Sequence, residues 1–194
     1  ADAAARGVVT HSSGNHGAAL ALAARSRDIP CHVVVPEGAV QAKLAEIEAY
    51  GAILHRCSPT IAAREASCAA VAADTGGTVV HPYTDSRVIA GQGTAALELL
   101  TAVPDLDLLV VPLGGGGLAA GSALAMRALA PRCRLLLAEP EGAADGARSF
   151  ARGTLDHDMV PDTVCDGLRG TLGAPNFALL RGTDVDVQTV ADAD

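Results

Sequence analysis

The sequence predicts an α/β protein in two lobes, with parallel sheets flanked by helices. Short apolar strands alternate with Ala/Leu-rich helices through the first part of the chain, the pattern of βα units. Two special turns, at 12–17 and 114–117, each follow a strand and open a helix. Between them Pro82-Tyr83-Thr84-Asp85 breaks the alternation and reads as the crossing from one lobe to the other.

Taken in order, Gly7 to His11 forms a short strand, followed by the polar turn Ser12-Ser13-Gly14-Asn15-His16-Gly17 and a helix over 18–27. A fully apolar strand at 31–35 stops at Pro36, a helix over 41–50 closes at Gly51, and a strand occupies 53–56. The Ala-rich helix over 60–74 ends at Gly76-Gly77, and Val79-Val80 is the next strand. After the crossing a helix spans 86–102 and carries Ala90-Gly91-Gln92-Gly93-Thr94. The β-branched run 107–112 then meets Gly114-Gly115-Gly116-Gly117, behind which a helix runs to Ala130. A strand follows at 134–138, helices near 143–151 and 176–181, and a strand at 185–190. Alanine is enriched, but there is no internal repeat or low-complexity tract.

Composition narrows the partners. The chain of 194 residues is 49% hydrophobic and only 2% aromatic, so its core must be built from Ala, Val and Leu. A formal net charge of −8 with no basic patch argues against nucleic acid or an anionic membrane as partner. No apolar run approaches the length of a membrane span, and no signal peptide opens the sequence. The five cysteines (31, 57, 68, 133 and 165) are scattered without a CxxC pair, as expected for reduced, mostly buried thiols of a cytoplasmic protein.

Gly114 to Gly117 carry the first chemical signal. Without Cβ atoms the backbone can take positive φ and turn several N–H groups toward the start of the following helix. The helix dipole favours an anion there, so a phosphate is the natural occupant. No Gly-Lys-Ser/Thr follows, which excludes a P-loop. Gly114-x-Gly116-x-x-Ala119 fits only the loose form of a dinucleotide fingerprint, and Glu139, the acidic residue at about the right distance, is followed directly by Pro140. In the earlier turn, two serines, an asparagine and a histidine could be mere helix capping. Together they also offer hydroxyls, an amide and N–H groups to a small carboxylate.

Five segments in order complete the pattern: Thr10-His11-Ser12-Ser13-Gly14-Asn15-His16-Gly17, Ile89-Ala90-Gly91-Gln92-Gly93-Thr94, Val111-Pro112-Leu113-Gly114-Gly115-Gly116-Gly117, Ala138-Glu139-Pro140 and Asp166-Gly167-Leu168. With these the chain resembles the serine racemase and serine/threonine dehydratase family, pyridoxal-phosphate enzymes of fold type II (the tryptophan-synthase-β type). The resemblance implies a small α/β domain over 7–84 and a partial large, cofactor-binding domain over 85–194, with 1–6 the remnant of a missing N-terminal segment.

It also implies roles for particular residues. Gly114, Gly115, Gly116 and Gly117 would hold the phosphate of pyridoxal 5′-phosphate, and Asn15 would bond its 3′-oxygen. Ser12, Ser13, Asn15 and His16 would grip the substrate carboxylate. Ser13 would face the cofactor opposite the Schiff-base lysine, as the second acid/base of a racemase. Gly167 would lie beside the ring, and Arg64 and Thr171 fall where some members contact substrate. Glu139 and Asp145, around a turn with the Ala143 carbonyl between them, make an oxygen donor set suited to Mg²⁺ or Ca²⁺. The resemblance places a structural divalent ion at Glu139, Ala143 and Asp145. Without it, these read as two solvated surface carboxylates. His11, His55, His81 and His157 have no metal-like spacing and read as structural or exposed.

The expected activity is a pyridoxal-phosphate-dependent serine/threonine dehydratase, an ammonia-lyase giving 2-oxo acid and ammonia from a small hydroxy-amino acid. Serine racemase is the alternative that Ser13 keeps open. Cysteine- and cystathionine-forming relatives are disfavoured, since a Thr/Ser-Gly-Asn-Thr turn is typical of them. The Schiff-base lysine of the family lies upstream of the Ser-Ser-Gly-Asn-His turn, and the one lysine here, Lys43, matches a different family lysine. The C-terminal Ser/Thr that meets the pyridine nitrogen is absent too, and the first residue is Ala1 rather than Met. These features predict a partial chain that does not turn over by itself, with a non-catalytic truncated homologue as the third reading. The resemblance implies a homodimer at full length.

Overall fold

Strand β1 (Val8–Thr10) sits inside the first sheet, with β2 (Cys31–Pro36) on one side and β4 (Thr78–Val79) on the other, and β3 (Ile53–Cys57) at the edge beyond β2. The structure is a computed structural model and describes residues 5–193. Every pairing in the sheet is parallel, with Val9 opposite His32 and Val79, and Val33 opposite Leu54. Parallel neighbours need crossovers, which are supplied by α1 (Asn15–Arg25), α2 (Gln41–Ala49) and α3 (Ile61–Thr75).

The near-continuous apolar run of β2 is explained by burial on both faces. Val33 and Val35 pack with Ala21 and Ala24 of α1 and Leu44 and Ile47 of α2. Val34 points the other way, with Val9, Cys57 and Cys68 of α3. Thr60 caps α3 through a bond from the Ala63 N–H at 3.1 Å, and Gly76 ends it in the left-handed conformation. Two boundaries differ from expectation. Helix α1 begins at Asn15 rather than Ala18, because the Ala18 N–H already closes a helical turn on the Gly14 carbonyl. Strand β4 lies one residue early, set by its register against Val8 and Val9.

The first compact unit ends at Pro82 and the second begins at Tyr83. The second holds α4 (Ser86–Ala102), β5 (Leu108–Pro112), α5 (Gly117–Leu129), β6 (Arg134–Pro140), α6 (Asp145–Arg152), α7 (Ala174–Arg181) and β7 (Val185–Val190). Its strands form a parallel sheet in the order β5-β6-β7. Val111, Leu113, Leu135 and Leu137 gather Ala119, Ala123 and Met126 of α5 and Phe177 and Leu180 of α7 into one core. Leu108 and Val110 of β5 are exposed, so that strand is not buried as its apolar run suggests. Helices α4 and α5 meet backbone to backbone: a Cβ on Gly93 would lie 2.8 Å from the Gly121 carbonyl oxygen. This close approach explains Gly93 in the sequence motif, whereas a Cβ on Gly91 would meet nothing.

Candidate functional site

Each unit brings together its own set of the residues singled out in the sequence. In the first, the Ser12–Gly17 turn leaves the carboxyl end of β1, where the chain's crossovers diverge to β2 on one side and β4 on the other. Such a switch point in an open parallel sheet leaves a crevice for a ligand. Gly14 is the N-cap of α1 and supplies no side-chain cap, and the space where its Cβ would be is open. Gly17 is fixed for a different reason, since a Cβ there would run into the Ser12 carbonyl. Ser12, Ser13 and His16 are half-buried and Asn15 is exposed.

Around this turn lies a cationic and imidazole cluster. His11 is buried and meets His81 edge-on, with ring centroids 5.1 Å apart. Burial, then the charges of His81, Arg64 and His16, push the His11 pKa down to about 4, so its ring is neutral at physiological pH. Arg64, on α3, is half-buried and its Nε is buried without a hydrogen-bond partner. A guanidinium N–H in that condition suits an incoming carboxylate. His55 is not isolated either: its Nε2 lies 3.0 Å from the Nδ1 of His32 on the neighbouring strand.

In the second unit, Gly114–Gly117 form the turn between β5 and α5. Gly116 takes φ +87°, the left-handed conformation, and no side chain caps α5 behind it. The N–H groups of the first helical turn therefore remain available to an anion. The glycines are needed on packing grounds as well. A Cβ on Gly115 would collide with the Tyr83 ring, one on Gly116 would reach within 2.6 Å of Leu172 Cδ1, and one on Gly117 would crowd Tyr83 at 3.1 Å. Leu168 lies against Gly114, which brings the Asp166-Gly167-Leu168 segment to this turn, with Gly167 exposed beside it. Thr171 is half-buried next to Leu172.

The carboxylates at the end of β6 are not solvated. Glu139 and Asp145 are each 1% exposed, so the surface reading is overturned. Glu139 continues the inward face of β6 after Leu135 and Leu137, and accepts hydrogen bonds from the Gly146 and Ala147 N–H groups at 3.1 and 2.8 Å. It thus caps α6 from outside the helix. Burial raises its pKa to about 7, against the pull of those two bonds, and the nearby Asp145 pushes in the same direction as burial. Asp145 is also raised by burial. Its Oδ2 accepts from the Leu172 N–H at 2.7 Å, while its Oδ1 is buried with no hydrogen-bond partner. Ala143, buried, ends the short 3₁₀ turn between them. Among the described residues no group of three or more His, Cys, Asp or Glu side chains could hold a metal, so a cation here would need the Ala143 carbonyl as well.

Sequence reasoning missed Tyr83, Leu172 and Asn176, which pack on the glycine turn. Tyr83 was read only as part of the crossing, and a buried Asn in the first turn of α7 carries no motif.

A parallel α/β unit with an uncapped, glycine-rich helix start at the carboxyl end of a strand defines a phosphate-binding enzyme fold. Over residues 1–194 the sequence matches the family described as "Pyridoxal-phosphate dependent enzyme", and the chain belongs to that family. It is 47% identical over 191 residues to a beta-hydroxyaspartate dehydratase of Paracoccus denitrificans, covering 98% of this chain and 61% of that protein. It is 44% identical over 194 residues to a serine racemase of Arabidopsis thaliana, covering 100% of this chain and 59% of that one. Among solved structures, maize serine racemase superposes with a TM-score of 0.93 at 43% identity over 97% of this chain and 57% of its own. A bacterial-type match, the threonine deaminase of "T.th.", does so with 0.90 at 38% identity over 97% and 62%. The chain thus spans about three fifths of the relatives it matches. Its fold is that of the type II pyridoxal-phosphate enzymes.

Proposed function

We propose that the protein is a pyridoxal-phosphate-dependent ammonia-lyase acting on small hydroxy-amino acids and releasing 2-oxo acid and ammonia. The observation that carries this reading is the glycine turn, where an uncapped α5 and a left-handed Gly116 leave N–H groups for a phosphate. Gly114–Gly117 would hold the cofactor phosphate, Asn15 its 3′-oxygen, and Gly167 would lie beside the ring. When bound, the cofactor supplies an electron sink for the charge left by the departing α-proton. Ser12, Ser13, Asn15 and His16 would orient the substrate by its carboxylate. Arg64, with its unpartnered Nε, supports a further acidic group in the substrate, and one relative is named for hydroxyaspartate. The sequence carries no Ser-x-Lys-type lysine before the Ser12–Gly17 turn, so the chain by itself is not expected to complete turnover.

A serine racemase is the second reading, favoured by the Ser13 hydroxyl, which could return a proton to the α-carbon from the other face. The two are separated by assaying the enzyme for 2-oxo acid, ammonia and D-amino acid, then repeating with Ser13→Ala. Loss of racemisation with elimination retained is expected if Ser13 is the second acid/base. Racemisation that survives while elimination is unchanged removes that role.

Glu139, Asp145 and the Ala143 carbonyl would hold Mg²⁺ or Ca²⁺. The buried, partnerless Asp145 Oδ1 fits such a cation, which would neutralise two carboxylates that burial otherwise penalises. Its role would be structural, tying the end of β6 to α6.

A further inference from the structure

The peptide that shapes the glycine turn is held by a side chain to which no motif points. Asn176, in the first turn of α7, is fully buried. Its Nδ2 donates to the Gly115 carbonyl at 2.6 Å and to the Tyr83 carbonyl at 2.9 Å. The Gly173 N–H gives the Gly115 carbonyl a second donor at 3.1 Å. Because both partners of Nδ2 are acceptors, the amide can stand only one way round, with Oδ1 buried and without a hydrogen-bond partner. A trans peptide is planar, with its carbonyl and N–H on opposite sides. Fixing the Gly115 carbonyl toward α7 therefore turns the Gly116 N–H away from α7. The same side chain closes the space around Gly116, whose Cβ would lie 2.9 Å from that of Asn176.

We propose that Asn176 is the positioning residue of the phosphate cradle: by gripping the Gly115 carbonyl it aims the Gly116 N–H at the anion. This rests on the reading of the glycine turn as a phosphate site. Asn176 does not touch the phosphate; it acts through one peptide plane. A pre-aimed N–H spares the loop the ordering that binding would otherwise require.

The test titrates the chain with inorganic phosphate, following affinity by calorimetry and the Gly116 amide by NMR. In the wild type, phosphate should shift the Gly116 resonance. Asn176→Leu, similar in size but without a donor, should bind phosphate at least about tenfold more weakly. It should also move the Gly116 amide resonance before any phosphate is added. Leu180→Ala, a buried change on the same helix away from the turn, should lower stability and leave phosphate affinity of the folded protein within about twofold. Equal affinity in Asn176→Leu and wild type would overturn the role of Asn176 and leave the cradle standing. Failure of the wild type to bind phosphate would overturn both. Should Asn176→Leu not fold, Asn176→Ser, whose hydroxyl cannot serve both carbonyls, is judged by the same criterion.

Discussion

His11 shows how one side chain can make stability depend on pH. Its folded pKa is depressed from 6.5 to about 4, so the folded state binds fewer protons than the unfolded state between those values. The stability it contributes is complete above pH 6.5 and is lost as pH falls toward 4. That loss amounts to about 3 kcal/mol at most. His32, lowered by burial and by His55, acts in the same direction. Urea denaturation between pH 7 and 4 should show the decline, and His11→Asn should flatten it. An unchanged slope in His11→Asn would place the effect elsewhere.

At the scale of the element, the two ligand-facing turns differ in what they tolerate. Gly116 combines φ +87° with a Cβ that would meet Leu172 and Asn176. Gly116→Ala should therefore cost at least ~2 kcal/mol. Gly14 has φ −121° and open space where its Cβ would be, so Gly14→Ala should change stability by no more than ~0.5 kcal/mol. Chemical denaturation of the two variants gives the comparison directly. Similar costs would mean that both glycines serve the fold in the same way. The helices were legible because their apolar spacing and end signals agree, as at Thr60 and Gly76 of α3. The start of α1 was not, because its first turn is made of the same polar residues that form the ligand turn.

Across the second unit, the buried carboxylates join parts of the chain that are distant in sequence. Glu139 on β6 holds the first turn of α6, and Asp145 holds the Leu172 N–H just before α7, the residue that also packs on Gly116. A divalent cation at Glu139, Ala143 and Asp145 would lock this arrangement and stabilise the folded state by mass action. Thermal unfolding with increasing Mg²⁺ or Ca²⁺ should therefore shift upward with concentration, and Asp145→Asn should abolish the shift. An upward shift of equal size in Asp145→Asn would assign it to another site. Among the described residues no helix is long and apolar enough to cross a membrane.

By itself the sequence determined the α/β alternation, the two turns and the family, because these are local. Glycine runs, strand and helix periods and motif order are written in neighbouring residues. Only the tertiary structure decided which carboxylates are buried, that His11 meets His81, and that Asn176 grips the Gly115 carbonyl from 61 residues away. Burial and hydrogen bonding between distant segments depend on how the sheet and helices close around them, and no spacing along the chain encodes that closure.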